Sequence, residues 1–225
     1  MLEKINFSGV GFLIVMIITI SSLWGLVEFA DRVTEKETQN VDQLILRILR
    51  ESDQPIHSSD SNWLQSAVRD ITSLGGYAVL ALVVVVSGGY FILKRNNAPA
   101  IHLFAVLAVG TWVCNFLKVL FSRPRPDIEH MVYVASYSFP SGHAMLSASV
   151  YLTLAILLVH METRRQIKIY LLSLAVLMTL LVGLSRIYLG VHYLTDVLAG
   201  WLAGTAWALI CLLIAQYLQR NRSNN

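Results

Sequence analysis

The chain has 225 residues, 56% of them hydrophobic and 14% charged, with a mean hydropathy of +0.61. That balance excludes an ordinary soluble globular domain and makes a bilayer the natural solvent. The formal net charge of +3 is small and its carriers are dispersed, which excludes a nucleic-acid footprint built on a clustered basic stripe.

A spanning helix needs about 20 mostly apolar residues. Six segments meet that length, at 8–29, 72–93, 99–121, 142–160, 168–187 and 192–217. The fold class expected is therefore all-α, a polytopic membrane protein with a six-helix bundle. The first segment follows Lys4 and could pass for a secretion signal, but Glu28 and Asp31 stand where a small-residue cleavage site would be needed. It is read as a span. Between the first two spans, Val41, Leu44, Ile45, Ile48 and Leu49 repeat at helical spacing, with Asp42, Gln43, Arg47 and Arg50 on other faces. This helix reads either as interfacial or as a small lid on the outer ends of the spans. The polar run Glu51 to Asn62, with Pro55, reads as a connecting loop.

The domain plan that follows is a single unit. Residues 1–71 supply the first span and a long outer loop with its amphipathic helix, 72–217 a core of five spans, and 218–225 a cytoplasmic tail. Cations in the short loops set the orientation. Lys94 and Arg95, then Arg164, Arg165 and Lys168, then Arg220 and Arg222 all fall on one side, joined by Lys4. That side is expected to be cytoplasmic, with both termini inside and loops 30–71, 122–141 and 188–191 outside. Arg32, Lys36, Arg47, Arg50 and Arg69 lie in the long first loop, which is also acidic, and long loops weigh little in this rule. Cys114 and Cys211 sit in apolar runs without His or Cys at ligand spacing, so packing is expected of them rather than a disulfide or zinc.

Charged and histidine side chains are expensive near a bilayer, so their positions are informative. Three clusters fall at the outer face. Lys118 precedes Arg125-Pro126 at the end of the third span, Pro140-Ser141-Gly142-His143 opens the fourth, and Ser185-Arg186, His192 and Asp196 lie between the fifth and sixth. Singly these are interface anchors, a loop before a helix, and a polar pair at i and i+4. Gathered at one depth, they need a common anionic partner.

A phosphoryl group fits that partner. The helix start at Ser141-Gly142-His143 offers free backbone N–H groups and the positive end of the helix dipole. Arg125 and Arg186 can grip phosphate oxygens in bidentate fashion and Lys118 can add a point charge, with about 3 kcal/mol for each well-placed donor. His192, read as one helical turn before Asp196, can donate Nδ1–H to that carboxylate and keep Nε2 as a nucleophile. His143 can protonate the leaving oxygen and later deprotonate water. Neither a carboxylate cluster nor a His/Cys spacing for Mg²⁺ or Zn²⁺ is apparent, so no metal and no cofactor is expected, and activity should survive chelator.

These residues resemble the type 2 phosphatidic acid phosphatase superfamily, whose signature reads Lys-x6-Arg-Pro, Pro-Ser-Gly-His and Ser-Arg-x5-His-x3-Asp. All three parts are present in family order within residues 72–217. The resemblance implies a six-span core with an extracytoplasmic site, His192 as nucleophile, His143 as acid/base, and Lys118, Arg125, Ser141, Gly142 and Arg186 around the phosphate. Arg123-Pro124 duplicates the first motif two residues early; spacing from Lys118 selects Arg125, leaving Arg123 as a rim cation or diphosphate contact.

Other readings of the same residues are a phosphotransferase passing the group to a lipid or sugar, and a phospholipid binder or transporter, which would need neither histidine. The related vanadium haloperoxidases are soluble and larger, unlike this chain. The expected partners are the bilayer and a lipid phosphate or diphosphate substrate, with no obligate protein partner evident. Undecaprenyl diphosphate leads, ahead of phosphatidylglycerophosphate, phosphatidate and lipid A phosphate, in a bacterial inner membrane. His130, Tyr133 and Tyr137 read as interface aromatics and loop polarity rather than as headgroup selectors.

Overall fold

The computed structural model describes residues 9–53, 61–126 and 136–224. Among them the chain forms eight helices: α1 (Gly9–Thr34), α2 (Gln39–Asp53), α3 (Ser61–Ser73), α4 (Tyr77–Leu93), α5 (Asn97–Phe121), α6 (Gly142–Met161), α7 (Arg165–Tyr188) and α8 (Leu194–Asn224). Helices α1, α5, α6, α7 and the Leu194–Leu218 part of α8 are each long and apolar enough to cross a membrane. The sixth span is a bent pair in which Trp63–Ser73 meets Tyr77–Leu93 at 51°. The break falls at Leu74-Gly75-Gly76, where the N–H groups of Gly75 and Gly76 turn back to the carbonyls of Thr72 and Ser73. The straight span expected over 72–93 is thus a shorter helix with a tilted helical lead-in.

Helix α6 stands in the middle, packed by α8, α7, α5 and α4. Lipid tails are as apolar as leucine, so helices in a membrane associate through close packing rather than water exclusion, and small residues allow it. The inward face of α6 accordingly carries the fully buried Ala144, Ser147, Ala148 and Ser149. Gly200 and Gly204 face it from α8. A Cβ at Gly204 would sit 2.2 Å from the Met145 carbonyl oxygen, and one at Gly200 2.8 Å from that of Ser141. Between α4, α5 and α6 the space is filled by Leu80, Phe91, Leu103, Leu146 and Val150. Large apolar side chains also point outward, among them Ile17 and Trp24 on α1, Val85 on α4, Trp112 and Phe116 on α5 and Leu184 on α7. Such a surface belongs in hydrocarbon.

The amphipathic helix expected around Val41–Leu49 forms as α2, and it has two apolar sides. Ile45 and Leu49 pack against Ala144, Ile187 and Val197, while Val41, Leu44 and Ile48 face outward. The run expected to be a loop from Glu51 is helical to Asp53 and again from Ser61; Pro55 lies outside the described residues. Helix α3 has no counterpart in the expected elements, because eight of the thirteen residues of Ser61–Ser73 are polar or charged and the run by itself is too short and polar to read as a span. Both cysteines are unpaired, and Cys114 is buried with Met145 and Ala203.

Candidate active site

The ends of α5 and α7, the starts of α6 and α8, the α3–α4 turn and α2 all meet at one end of the bundle. The local geometry there begins with the start of α8. Tyr193 is its N-cap, since the Val197 N–H makes the first turn onto the Tyr193 carbonyl. Asp196, three residues on, accepts the Tyr193 N–H at 2.9 Å through Oδ2, the carboxylate half of a capping box. His192 therefore lies in the bend before the helix, not on its face as the i, i+4 spacing predicts. Its Nδ1 still stands 3.4 Å from Asp196 Oδ2. Ser138 completes the arrangement: its hydroxyl donates to the same Oδ2 and lies 3.4 Å from Nδ1. His192 is 2% exposed and Asp196 fully buried. Burial holds the imidazole well below the usual histidine range, against the opposing influence of the carboxylate, so the ring is neutral.

The cations arrange themselves around that ring. Arg125 Nη1 is 3.2 Å from His192 Nε2 and donates to the Val191 carbonyl at 2.5 Å. Its Nε donates to Ser136 O at 2.7 Å. Lys118 is 6% exposed and donates inward to the Tyr137 carbonyl at 2.6 Å, so it is no snorkelling anchor. Its Cε would be 3.6 Å from a Cβ at Gly142, which places the ammonium beside the start of α6. At that start Ser141 is the N-cap; its N–H donates to the Asp196 carbonyl at 2.9 Å, and its buried hydroxyl has no partner. Arg186, 3% exposed, donates to Thr72 Oγ1 at 3.1 Å and keeps a buried, unpartnered Nε. Lys118, Arg125 and Arg186 all act electrostatically on His143, and Lys118 and Arg125 on His192, so both imidazoles share one set of charges. His143 rests against the α3–α4 turn, where a Cβ at Gly75 would sit 3.3 Å from its own.

Arg123, expected as a rim cation or diphosphate contact, lines the cavity beside the site and is also held in a buried ion-pair network. Its side chain is 10% exposed and joined to Asp196 Oδ1 at 2.5 Å and Asp42 Oδ2 at 2.8 Å. The Tyr193 ring lies 4.2 Å from the guanidinium carbon. Asp42, from α2, is fully buried and accepts the Thr195 N–H at 3.1 Å and hydroxyl at 2.6 Å. A cavity of about 540 Å³ opens beside these groups, lined by Lys118, Val119, Arg123, Arg125 and Tyr137 among others.

The family model for the PAP2 superfamily matches residues 99–220. The chain belongs to the PAP2 superfamily. It is 36% identical over 143 residues to phosphatidylglycerophosphatase B of Bacillus subtilis, across 63% of this chain and 70% of that one. An undecaprenyl-diphosphatase of Sulfolobus acidocaldarius is 29% identical across 51% of this chain and 54% of its own. The crystal structure of a transmembrane PAP2-type phosphatidylglycerolphosphate phosphatase from Bacillus subtilis superposes with a TM-score of 0.79 at 29% identity, covering 89% of this chain and 96% of that chain. The protein is a membrane lipid phosphatase of the PAP2 family.

The family match encloses every site residue expected from sequence, from Lys118 to Asp196, and leaves Asp42 and Thr72 outside it. Those two, with Ser138 and Thr195, are the contacts that sequence reasoning missed in this PAP2 chain. Ser138 carried a weak signal, lying two residues before the Pro140-Ser141-Gly142-His143 run. Asp42 carried none, because every polar residue of an amphipathic helix can equally face water. His130 and Tyr133 lie outside the described residues. Tyr137 contributes its carbonyl to Lys118, while its residue surface is 46% exposed.

Proposed function

We propose that this PAP2 protein hydrolyses a lipid phosphate monoester through a phosphohistidine on His192. The observation that carries the reading is the placement of the two ring nitrogens. Nδ1 lies on the Asp196–Ser138 pair, and Nε2 faces the Arg125 guanidinium at 3.2 Å. A guanidinium has only donors, so the nitrogen it addresses carries the lone pair. In the first step Nε2 forms a bond to phosphorus, the phosphorus–oxygen ester bond breaks, and His143 gives its proton to the departing lipid alkoxide. In the second, His143 takes a proton from water as the oxygen attacks phosphorus, the Nε2–phosphorus bond breaks and inorganic phosphate leaves. Lys118, Arg125 and Arg186 offset the charge on the phosphoryl oxygens, assisted by the first N–H groups of α6 and by the Ser141 hydroxyl.

Phosphatidylglycerophosphate stands ahead of undecaprenyl diphosphate as substrate. Arg123, the cation that a second phosphate would have used, is engaged by Asp42 and Asp196, leaving a set suited to one phosphoryl group. The Bacillus phosphatidylglycerophosphatase also matches more of both chains than the archaeal undecaprenyl-diphosphatase does. The cavity on the α5 side joins the cations to exposed apolar surface at Val119, as an amphiphile with its tail in lipid requires. The cations Lys94, Arg95, Arg164, Arg165 and Lys168 cluster where α4 ends and α7 begins, at the other end of the bundle. By the positive-inside rule the site faces the extracytoplasmic side, with both termini cytoplasmic, in a bacterial inner membrane.

The test is inorganic phosphate release by purified, detergent-solubilised protein from phosphatidylglycerophosphate, undecaprenyl diphosphate, phosphatidate and lipid A, with EDTA present and His192→Ala as control. Phosphatidylglycerophosphate should show the highest kcat/KM. Equal release by His192→Ala would refute the phosphohistidine, and a preference for undecaprenyl diphosphate would reverse the ranking.

A further inference from the structure

A fully buried carboxylate on a helix outside the family core must be paired, and Asp42 spends its pairing on the start of α8. Tyr193, the N-cap there, has no side-chain acceptor short enough to satisfy the first turn. Asp42 supplies one from α2, taking the Thr195 N–H at 3.1 Å and the Thr195 hydroxyl at 2.6 Å. Its Oδ2 also receives Arg123 Nη2 at 2.8 Å. The other Arg123 terminal nitrogen donates to Asp196 Oδ1 at 2.5 Å and Thr195 Oγ1 at 2.9 Å. The Tyr193 ring beneath fixes the plane of the guanidinium.

Asp196 thus divides its two oxygens. Oδ1 goes to Arg123, and Oδ2 to Ser138, the Tyr193 N–H and His192. We propose that Asp42 and Arg123 are positioning residues for the reaction, setting the direction and effective charge of the Asp196 carboxylate and, through it, the orientation and basicity of His192. This rests on the phosphohistidine reading above and deepens it. Arg123 alone would draw the negative charge of Asp196 away from the imidazole. Asp42 shares that guanidinium, so the triad of two carboxylates and one cation retains a full negative charge beside the ring that becomes cationic in the transition state. The fork geometry of arginine is what spans both carboxylates; a lysine ammonium cannot. Helix α2 becomes part of the catalytic support rather than a passive cover.

The experiment is a double-mutant cycle on the full-length protein with phosphatidylglycerophosphate, measuring kcat, KM and thermal unfolding for wild type, Asp42→Asn, Asp196→Asn and the double variant. Asp42→Asn keeps one acceptor, for the Thr195 N–H, puts an amide donor where Oδ2 met the Thr195 hydroxyl and Arg123, and removes the charge; kcat should fall on the order of tenfold, with KM within about twofold. In the Asp196→Asn background the same change should alter kcat by less than about twofold, because the group through which it acts is gone. Thr195→Val, which deletes the hydroxyl's bonds to Asp42 and from Arg123 but leaves both charges and their ion pair, should give a smaller kcat loss at unchanged KM, and decides the matter if Asp42→Asn does not fold. Three results would overturn the inference: a kcat loss carried undiminished into the Asp196→Asn background, a rise in KM alone, or a lower unfolding temperature with kcat intact. A wild type inactive on phosphatidylglycerophosphate would instead overturn the substrate reading, and a wild type that turns over without a His192 phosphoenzyme the mechanism on which this inference rests, so the failures are distinct.

Discussion

Arg125 Nη1 lies 3.2 Å from Nε2 of His192 and 2.5 Å from the carbonyl of Val191, the residue just before that histidine. One guanidinium therefore addresses both the Nε2 lone pair of the imidazole proposed as nucleophile and the backbone that carries it. Because its Nε reaches Ser136 O at 2.7 Å, the same side chain ties the segment before α6 to the bend before α8. Arg125→Lys keeps the charge and loses these simultaneous contacts, so kcat/KM for lipid phosphate hydrolysis should fall about 100-fold, mostly in kcat. A loss under threefold in steady-state phosphate release would mean that charge alone suffices there.

The two histidines should separate kinetically. His192→Ala removes the atom proposed to bond phosphorus, and phosphate release should drop by at least about 10³-fold, with no ³²P trapped on the protein after an alkaline detergent quench, which preserves the acid-labile N–P bond in wild type. His143→Ala leaves the nucleophile and should slow turnover by about 10²–10³-fold. With a good leaving group, dephosphorylation becomes the slow step and labelled protein should accumulate. If the His143 variant never carries label while the His192 variant does, the roles are exchanged.

Burial of His192 also has a sign that stability measurements can read. Its folded pKa lies below the ordinary histidine value of about 6.5, so the folded state resists taking a proton that the unfolded chain accepts. Above that pH neither state is protonated and the group contributes no pH dependence. As pH falls below it, the unfolded state binds more protons and the native state loses stability, by at most about 1.4 kcal/mol per pH unit. His192→Gln removes this titration. The difference in unfolding temperature between wild type and His192→Gln should therefore be flat from pH 8 to 7 and shift against wild type between pH 6.5 and 4.5. A difference independent of pH over that range contradicts a depressed pKa.

The parts of this site legible in sequence are those whose charge sits next to apolar runs, where no bland alternative is cheap. Lys118 follows Cys114-Asn115-Phe116-Leu117 and Arg186 closes a long apolar helix, and both proved buried at the site. What was illegible depended on partners far along the chain. Asp42 looks like any polar residue of α2 until Arg123, 81 residues on, is seen against it. The repeated Arg-Pro pair suggested a spare cation because spacing counts positions but not carboxylates. His192 and Asp196 were paired correctly but for the wrong local reason, since i, i+4 contact arises here from a capping box at a helix start rather than from a shared helix face. The bend carried a signal in the Gly75-Gly76 pair after the polar Thr72-Ser73, but the long apolar run Tyr77–Leu93 behind it reads as one span that takes these residues in.

The contact between α6 and α8 gives the last prediction, which joins packing to catalysis. Gly204 lets α8 approach so closely that a Cβ there would lie 2.2 Å from the Met145 carbonyl and 2.7 Å from Ala148 Cβ. Backbone cannot yield as a flexible side chain can, so Gly204→Ala must push the two helices apart. That should destabilise the protein by about 1–3 kcal/mol despite the better helix propensity of alanine. Met145 lies two residues after His143, on the turn that presents the imidazole, so the displacement should also lower kcat per folded molecule. Gly89→Ala is the matched control on α4: nothing lies within 4 Å of a Cβ there, and stability and turnover should be unchanged or slightly improved. Unfolding temperature in detergent and kcat of the monodisperse fraction measure both effects. Equal behaviour of the two variants would show that α6 and α8 are free to separate without moving the catalytic turn.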